Sequence, residues 1–216
     1  MQRVAVWDLP TRLFHWALLI AVTVSIVAVE VLDDTELHSK SGQVVLGLLV
    51  FRLVWGVLGS STAQFHRFIQ GPSKLLAYWR SGQTDRWGHN PFGALSVLAM
   101  LVCLIVQTAT GLASDDEIFT TGPLAQFLTE SQVGWANQIH EWNSKLLFVL
   151  IGLHVAAITY YQVIKRLNLI GPMVSGNAKV PDEDVRLQSL PKFRPVWLWV
   201  SLALGSAWLA WAVFQL

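Results

Sequence analysis

The sequence predicts an all-α membrane protein: a four-helix transmembrane bundle with a fifth, C-terminal transmembrane helix. Three observations point there. Of the 216 residues, 53% are hydrophobic and only 13% charged, where a soluble domain carries about 25% charged residues. The apolar residues gather in long blocks separated by short polar ones. The basic residues concentrate in alternate connections between those blocks, as they do in multi-pass membrane proteins.

Five segments are long enough to cross a bilayer, which takes roughly 20 apolar residues. They are Phe14 to Leu32, Ser41 to Gly59, Pro91 to Ala113, about Ile139 to Tyr161, and Val196 to Leu216. Backbone groups in lipid must be satisfied within their own segment, so these are helices. Asp8 in WDLPTRLFHW stands where an N-cap belongs, with Pro10 near the first helical position. Glu30 and Asp33 follow the first apolar run and no small-residue cleavage site is present, so the run is expected to span rather than act as a cleaved leader. The last segment carries no histidine and no charge, and is expected to anchor or pack.

Counting Lys and Arg fixes the expected orientation. Arg3 and Arg12 precede the first helix. Arg67, Lys74, Arg80 and Arg86 lie between the second and third. Lys165, Arg166, Lys179, Arg186, Lys192 and Arg194 lie between the fourth and fifth. The other two connections, VLDDTELHSK and ASDDEIFTTGPLAQFLTESQ, are acidic. The N-terminus is therefore expected on the cytoplasmic side and the C-terminus outside. Trp16, Trp55 and Trp197 then fall near the inner interface, and Trp135, Trp142 and Trp211 near the outer one. Three units follow: residues 1–170 as the four-helix unit, 171–195 as a cytoplasmic linker, and 196–216 as the fifth span. Net charge is +1, so no basic excess argues for nucleic acid. Cys103 is the single cysteine, so no internal disulfide forms. It lies in an apolar run and is expected to pack against lipid or core. No CxxCH occurs, which excludes covalent c-type haem.

Six histidines occur: His15, His38, His66, His89, His140 and His154. An ionisable side chain at membrane depth is costly and usually functional. His140 and His154 are 14 residues apart on one helix. That spacing is about 21 Å along the axis and only roughly 40° around it. One helix thus offers two imidazoles on one face, near opposite leaflets, and each centre needs a partner from another helix. His15 stands at the inner end of the first helix, and His38 just before the second on the outer side. The pairings suggested are His15 with His154, inside, and His38 with His140, outside. Two neutral imidazoles on either side of an iron porphyrin leave no open position, and such a centre transfers electrons. Zinc competes, but wants about four ligands at one point. A proton relay also competes, but wants a closer chain of Asp, Glu and His, and apart from Glu141 and Lys145 at the start of the fourth span only Glu30 and Arg52 are charged within the spans.

These motifs resemble those of the bacterial cytochrome b561 family, the di-haem b-type membrane cytochromes that include hydrogenase b-type subunits. The likeness covers roughly residues 4 to 175. It rests on WDLPTRLFHW at Trp7 to Trp16, HSKSG from His38 with Arg52 fourteen residues on, GHNPFGALSVL from Gly88, and HEWNSKLLFVLIGLHVAA from His140. The resemblance implies a four-helix bundle holding two non-covalent haem b groups (iron protoporphyrin IX). His15, His38, His140 and His154 match its axial positions one for one. The fifth helix extends beyond the minimal family unit.

The remaining residues receive competing readings. Arg52, inside an apolar helix, either binds a haem propionate or snorkels to the inner headgroups. Arg12, three residues before His15, is a second propionate candidate. His66 in AQFHRFIQGP reads as interfacial. His89 reads as interfacial beside a turn, or as a propionate contact or alternative ligand. Gly42, Gly47, Gly111 and Gly152 admit a close approach by a helix or a porphyrin face. No catalytic residue is assigned. The expected function is electron transfer across a bacterial inner membrane, between a quinone (ubiquinone or menaquinone) and a periplasmic c-type cytochrome or dehydrogenase, with membrane lipid around the spans. Two alternatives stand beside it: a b-type anchor subunit of a hydrogenase or other dehydrogenase complex, and a haem-free transporter or assembly factor whose histidines bind a metal.

Overall fold

The computed structural model describes residues 2–81, 88–115, 121–180 and 190–216. Arg86, Arg186 and the acidic pair Asp116 and Glu117 lie outside those residues. Among the described residues, five helices are long and apolar enough to cross a membrane: α1 (Leu9–Glu30), α2 (Thr35–Leu58), α5 (Pro91–Leu112), α6 (Glu130–Thr159) and α8 (Val196–Val213). Between α2 and α5 lie two short helices, α3 (Phe65–Phe68) and α4 (Pro72–Ser81). After α6, a π-helical segment, Tyr160–Ile164, leads to α7 (Ile170–Ser175).

Three helices start earlier than hydropathy predicts, each at a polar cap. Asp8 Oδ1 accepts from Thr11 N at 3.0 Å and opens α1, with Pro10 in its first turn. Asp34 Oδ1 accepts from Leu37 N at 2.8 Å and opens α2, so His38 lies in the first turn of that helix and not before it. Thr129 and Gln132 form a reciprocal capping box ahead of α6. That helix therefore begins well before Ile139, and His140 lies inside it. With the π segment it runs 35 residues, about 50 Å, longer than a hydrocarbon core of about 30 Å.

Helix α1 packs on α2, α5 packs on α6, and α2 joins the two pairs by touching α5. One apolar core runs through all four, from Phe14 and Ala21 through Val45, Leu49 and Trp55 to Leu101, Leu104 and Leu147. The outward faces keep large exposed apolar residues such as Ile20, Val102, Val149 and Leu153, the surface a bilayer solvates. Helix α8 lies on the far face of α2. Gly47 faces it, where a Cβ would make ordinary contact at 3.4 Å from Ala210 Cβ and 3.5 Å from the Ser206 carbonyl. The foot of α8 is tied to the end of α2, where Arg194 Nε donates to Leu58 O at 3.0 Å and Ser61 N to Lys192 O at 3.0 Å.

The described part of the expected linker is not a plain loop. Strand β1 (Gln2–Ala5) pairs antiparallel with β2 (Asn177–Val180), Gln2 opposite Val180. Val4, Val6 and Trp7 pack with Met173, Ala178 and Val180 beneath α1. Gly176 makes the return at φ +84°, and a Cβ there would stand 2.9 Å from Trp7 O. Arg12 Nη1 donates to Val174 O at 2.6 Å and Trp16 Nε1 to Met173 O at 3.2 Å. Alternating apolar residues too few to register as a strand explain why the sequence hid this clasp. Trp55 also departs from expectation. It is fully buried, stacks on Phe51 and donates from Nε1 to Asp8 Oδ2 at 3.1 Å, so it faces the core and not the lipid belt. Trp135, Trp142, Trp197 and Trp211 are exposed.

Asp8 thus serves two helices with two oxygens. Replacing it by Ala removes a cap and strands the buried Trp55 donor, a loss of about 1–3 kcal/mol. Thermal unfolding in detergent is expected to show Asp8→Ala clearly below wild type, with Asp8→Asn between them because Asn keeps the cap. Equal stability of Asp8→Ala and wild type would contradict this role.

Candidate functional site

The end of the bundle expected from the charge pattern to face outward brings His38 of α2 and His140 of α6 together, with ring centroids 6.2 Å apart and ring planes at 81°. A metal–imidazole bond is about 2 Å, so with the ring's own half-width two imidazoles facing one ion have centroids roughly 6 Å apart. Each ring is turned by its Nδ1. His38 Nδ1 lies 2.9 Å from Ser25 O and 3.0 Å from Ser25 Oγ, both on α1. His140 Nδ1 lies 3.0 Å from Gln107 O and 3.1 Å from Thr110 Oγ1, both on α5. A carbonyl only accepts, so each Nδ1 carries the proton and donates. The Nε2 lone pair of each ring is then available as a ligand, the arrangement typical of metal-bound histidine.

Helix α5 carries no histidine in its span, yet it shapes this end. Gly111 leaves room for the ring, since a Cβ there would stand 3.0 Å from His140 Cε1. Asn143, one turn beyond His140, donates to Gln107 Oε1 at 2.6 Å and to Cys103 O at 2.9 Å. Cys103 is buried and its Sγ donates to Asn143 Oδ1 at 3.2 Å, so it faces the core side. Sequence reasoning missed Ser25, Gln107, Thr110 and Asn143. The signal was present: polar residues recurring at helical spacing, 103, 107 and 110, inside a span with no charge.

The inner end gathers different groups. His15 of α1 and His154 of α6 are electrostatic neighbours, as the other predicted pair requires. His89, just before α5, interacts with both and with Arg52. It packs between Trp7 and Phe68, at centroid distances of 4.7 and 5.0 Å. Arg52 is 3% exposed and does not snorkel. Its guanidinium lies 4.6 Å from the Phe65 ring centre, 5.9 Å from Phe68 and 6.0 Å from Phe14. Gly56 is needed beneath it, because a Cβ there would run into the Phe65 ring. His15 Nδ1, Arg52 Nη1, His89 Nδ1 and Arg12 Nε are buried polar atoms with no hydrogen-bond partner. Buried donors are normally paired, and a guanidinium with a free Nη1 in an aromatic wall suits a carboxylate such as a haem propionate. His66 is exposed on α3.

The donor set fits haem better than zinc. Among the described residues, no group of three or more His, Cys, Asp and Glu side chains could hold a metal ion, whereas structural zinc takes four ligands at one point. Paired imidazoles with cationic donors nearby are instead a donor set that haem accepts.

The sequence model of a family described as prokaryotic cytochrome b561 matches residues 6–176. Three curated relatives each carry the name "Probable Ni/Fe-hydrogenase B-type cytochrome subunit". That of Rhodobacter capsulatus is 20% identical over 84% of this chain and 84% of its own. That of Azotobacter chroococcum mcd 1 is 24% identical over 80% of this chain and 87% of its own. That of Bradyrhizobium diazoefficiens is 21% identical over 83% and 87%. No solved structure matches.

Burial, and then the Arg52 guanidinium, push the His89 imidazole from 6.5 down to about 3. The folded chain keeps this ring neutral where the unfolded chain protonates it. Its contribution to stability is therefore whole above about pH 6.5 and shrinks as pH falls toward 3. Unfolding followed from pH 7 to pH 4 is expected to show a shallower loss in His89→Phe than in wild type. Parallel curves would contradict the burial of a neutral imidazole there.

Proposed function

The chain belongs to the prokaryotic cytochrome b561 family, and from that premise we propose that it carries electrons across a bacterial inner membrane through two b-type haems. The observation that carries this reading is the outer pair: two imidazoles 6.2 Å apart, each with Nδ1–H donated away and Nε2 free. His38 and His140 would hold the outer haem, and His15 and His154 the inner one. Arg52, with Arg12 and His89, would bind inner propionates. Arg12 already gives one donor to Val174 O, which leaves its Nε for that role. The haem iron, when bound, supplies one-electron chemistry whose potential its axial ligands and surroundings tune. The chain's own work is to orient the rings, to wall them in apolar side chains, and to set the two sites 14 residues apart on α6, about 21 Å along its axis. The β1–β2 clasp covers the inner end of α1 and so limits water near His15.

Electrons would pass between membrane quinone and a periplasmic redox partner, with the N-terminus cytoplasmic and the C-terminus periplasmic. The names of the three relatives favour one partner class. In this second reading, the chain is the membrane anchor of a nickel–iron hydrogenase and passes its electrons to quinone. A hydrogenase that co-purifies from native membranes separates the two.

A dithionite-reduced minus oxidised spectrum of the purified chain is expected to show b-type bands. His140→Ala is expected to lose the outer haem and keep the inner one, and His154→Ala to do the converse. Absence of b-type bands in the wild type, or two intact haems in His140→Ala, would overturn the assignment.

A further inference from the structure

Each outer imidazole donates to a carbonyl and also faces a hydroxyl from the same neighbouring helix. For His38 both come from Ser25, at 2.9 and 3.0 Å. For His140 they are Gln107 O and Thr110 Oγ1, at 3.0 and 3.1 Å. Two different helices, α1 and α5, thus present the same pair of acceptors to the two rings. Thr110 Oγ1 lies 2.8 Å from Val106 O and 3.1 Å from Gln107 O. Its own proton goes to one of those carbonyls, so an oxygen lone pair faces His140 Nδ1–H. Both hydroxyls stand at membrane depth, where the interaction is little screened.

We propose that Ser25 and Thr110 are paired positioning residues for the outer centre, setting both the direction and the electron-donor strength of its two histidines. The proposal rests on the bis-histidine haem reading above. An acceptor on Nδ1–H pulls that proton outward and makes Nε2 more basic. A more basic axial nitrogen favours the oxidised, more positive iron. Removing either hydroxyl leaves the carbonyl in place, so the ring keeps its tautomer and loses part of its basicity. The outer centre then becomes easier to reduce. Its inner counterpart has no such brace on His15, whose Nδ1 makes no hydrogen bond, and is left unchanged.

The test uses the full chain with its haems. Ser25→Ala, Thr110→Val and the double variant are titrated by redox potentiometry, with the outer centre identified as the one lost in His140→Ala. At a fixed ambient potential, the reduced-to-oxidised ratio of the outer centre is expected to rise several-fold in each variant, up to about tenfold, and further in the double variant. The inner ratio stays constant, and Thr110→Ser restores the wild-type value. An unmoved outer ratio, or an equal shift of both centres, would overturn the proposal. Failure of the haem reading is separately visible as missing b-type bands in the wild type. The brace then has its own readout in imidazole nitrogen NMR: His38 and His140 as single Nδ1–H tautomers support it, and Nε2–H tautomers overturn it.

Discussion

A bilayer interior offers no water to a polar group, so each one placed there must find a partner in the protein or in what the protein binds. That constraint organises this chain. Its spans hold few polar side chains, and several of them gather around the histidines at the two ends of the bundle. Ser25, Gln107, Thr110 and Asn143 have no business in lipid, and none faces it. They form the walls that hold His38 and His140. Cys103 joins the same network through Asn143.

The two ends meet the constraint differently. At the outer end Nδ1 of each imidazole is satisfied by a neighbouring helix, and the two ring centres lie 6.2 Å apart. At the inner end Arg52, His15 and His89 bury polar atoms with no protein partner, and aromatic rings hold the guanidinium in place. A buried cation without a counter-charge in contact is expensive, and an anionic propionate would offset that cost. Asp8, the carboxylate that acts on Arg52 among the described residues, is already occupied by Thr11 N and Trp55 Nε1. The outer end therefore reads as a ligand pair finished by hydrogen bonds, and the inner end as a site completed by its cofactor's charge.

The spans, the approach of His38 to His140 and the electrostatic interaction of His15 with His154 were legible in the sequence because hydropathy and a 14-residue spacing are long-range, repetitive signals. Helix starts were not. Hydropathy sees where lipid begins, and α2 and α6 begin in the polar region, at Asp34 and Thr129, which placed His38 and His140 inside helices rather than at their edges. Trp55 was misread because an indole suits an interface and a core equally, and only the Asp8 carboxylate across the helix pair decides between them. The clasp between residues 2–5 and 177–180 was invisible because its two strands are short and lie far apart in the chain. Gly47 and Gly111 could not be told apart from spacing. One faces α8 and the other the His140 ring, a difference fixed by which helix happens to lie opposite.

The central claim is that both centres are iron held between two imidazoles with no open position. Low-temperature electron paramagnetic resonance of the air-oxidised, purified chain tests it most directly. Two low-spin ferric signals and no high-spin one are expected. A high-spin ferric signal of comparable size, or a chain without iron signals, would contradict it.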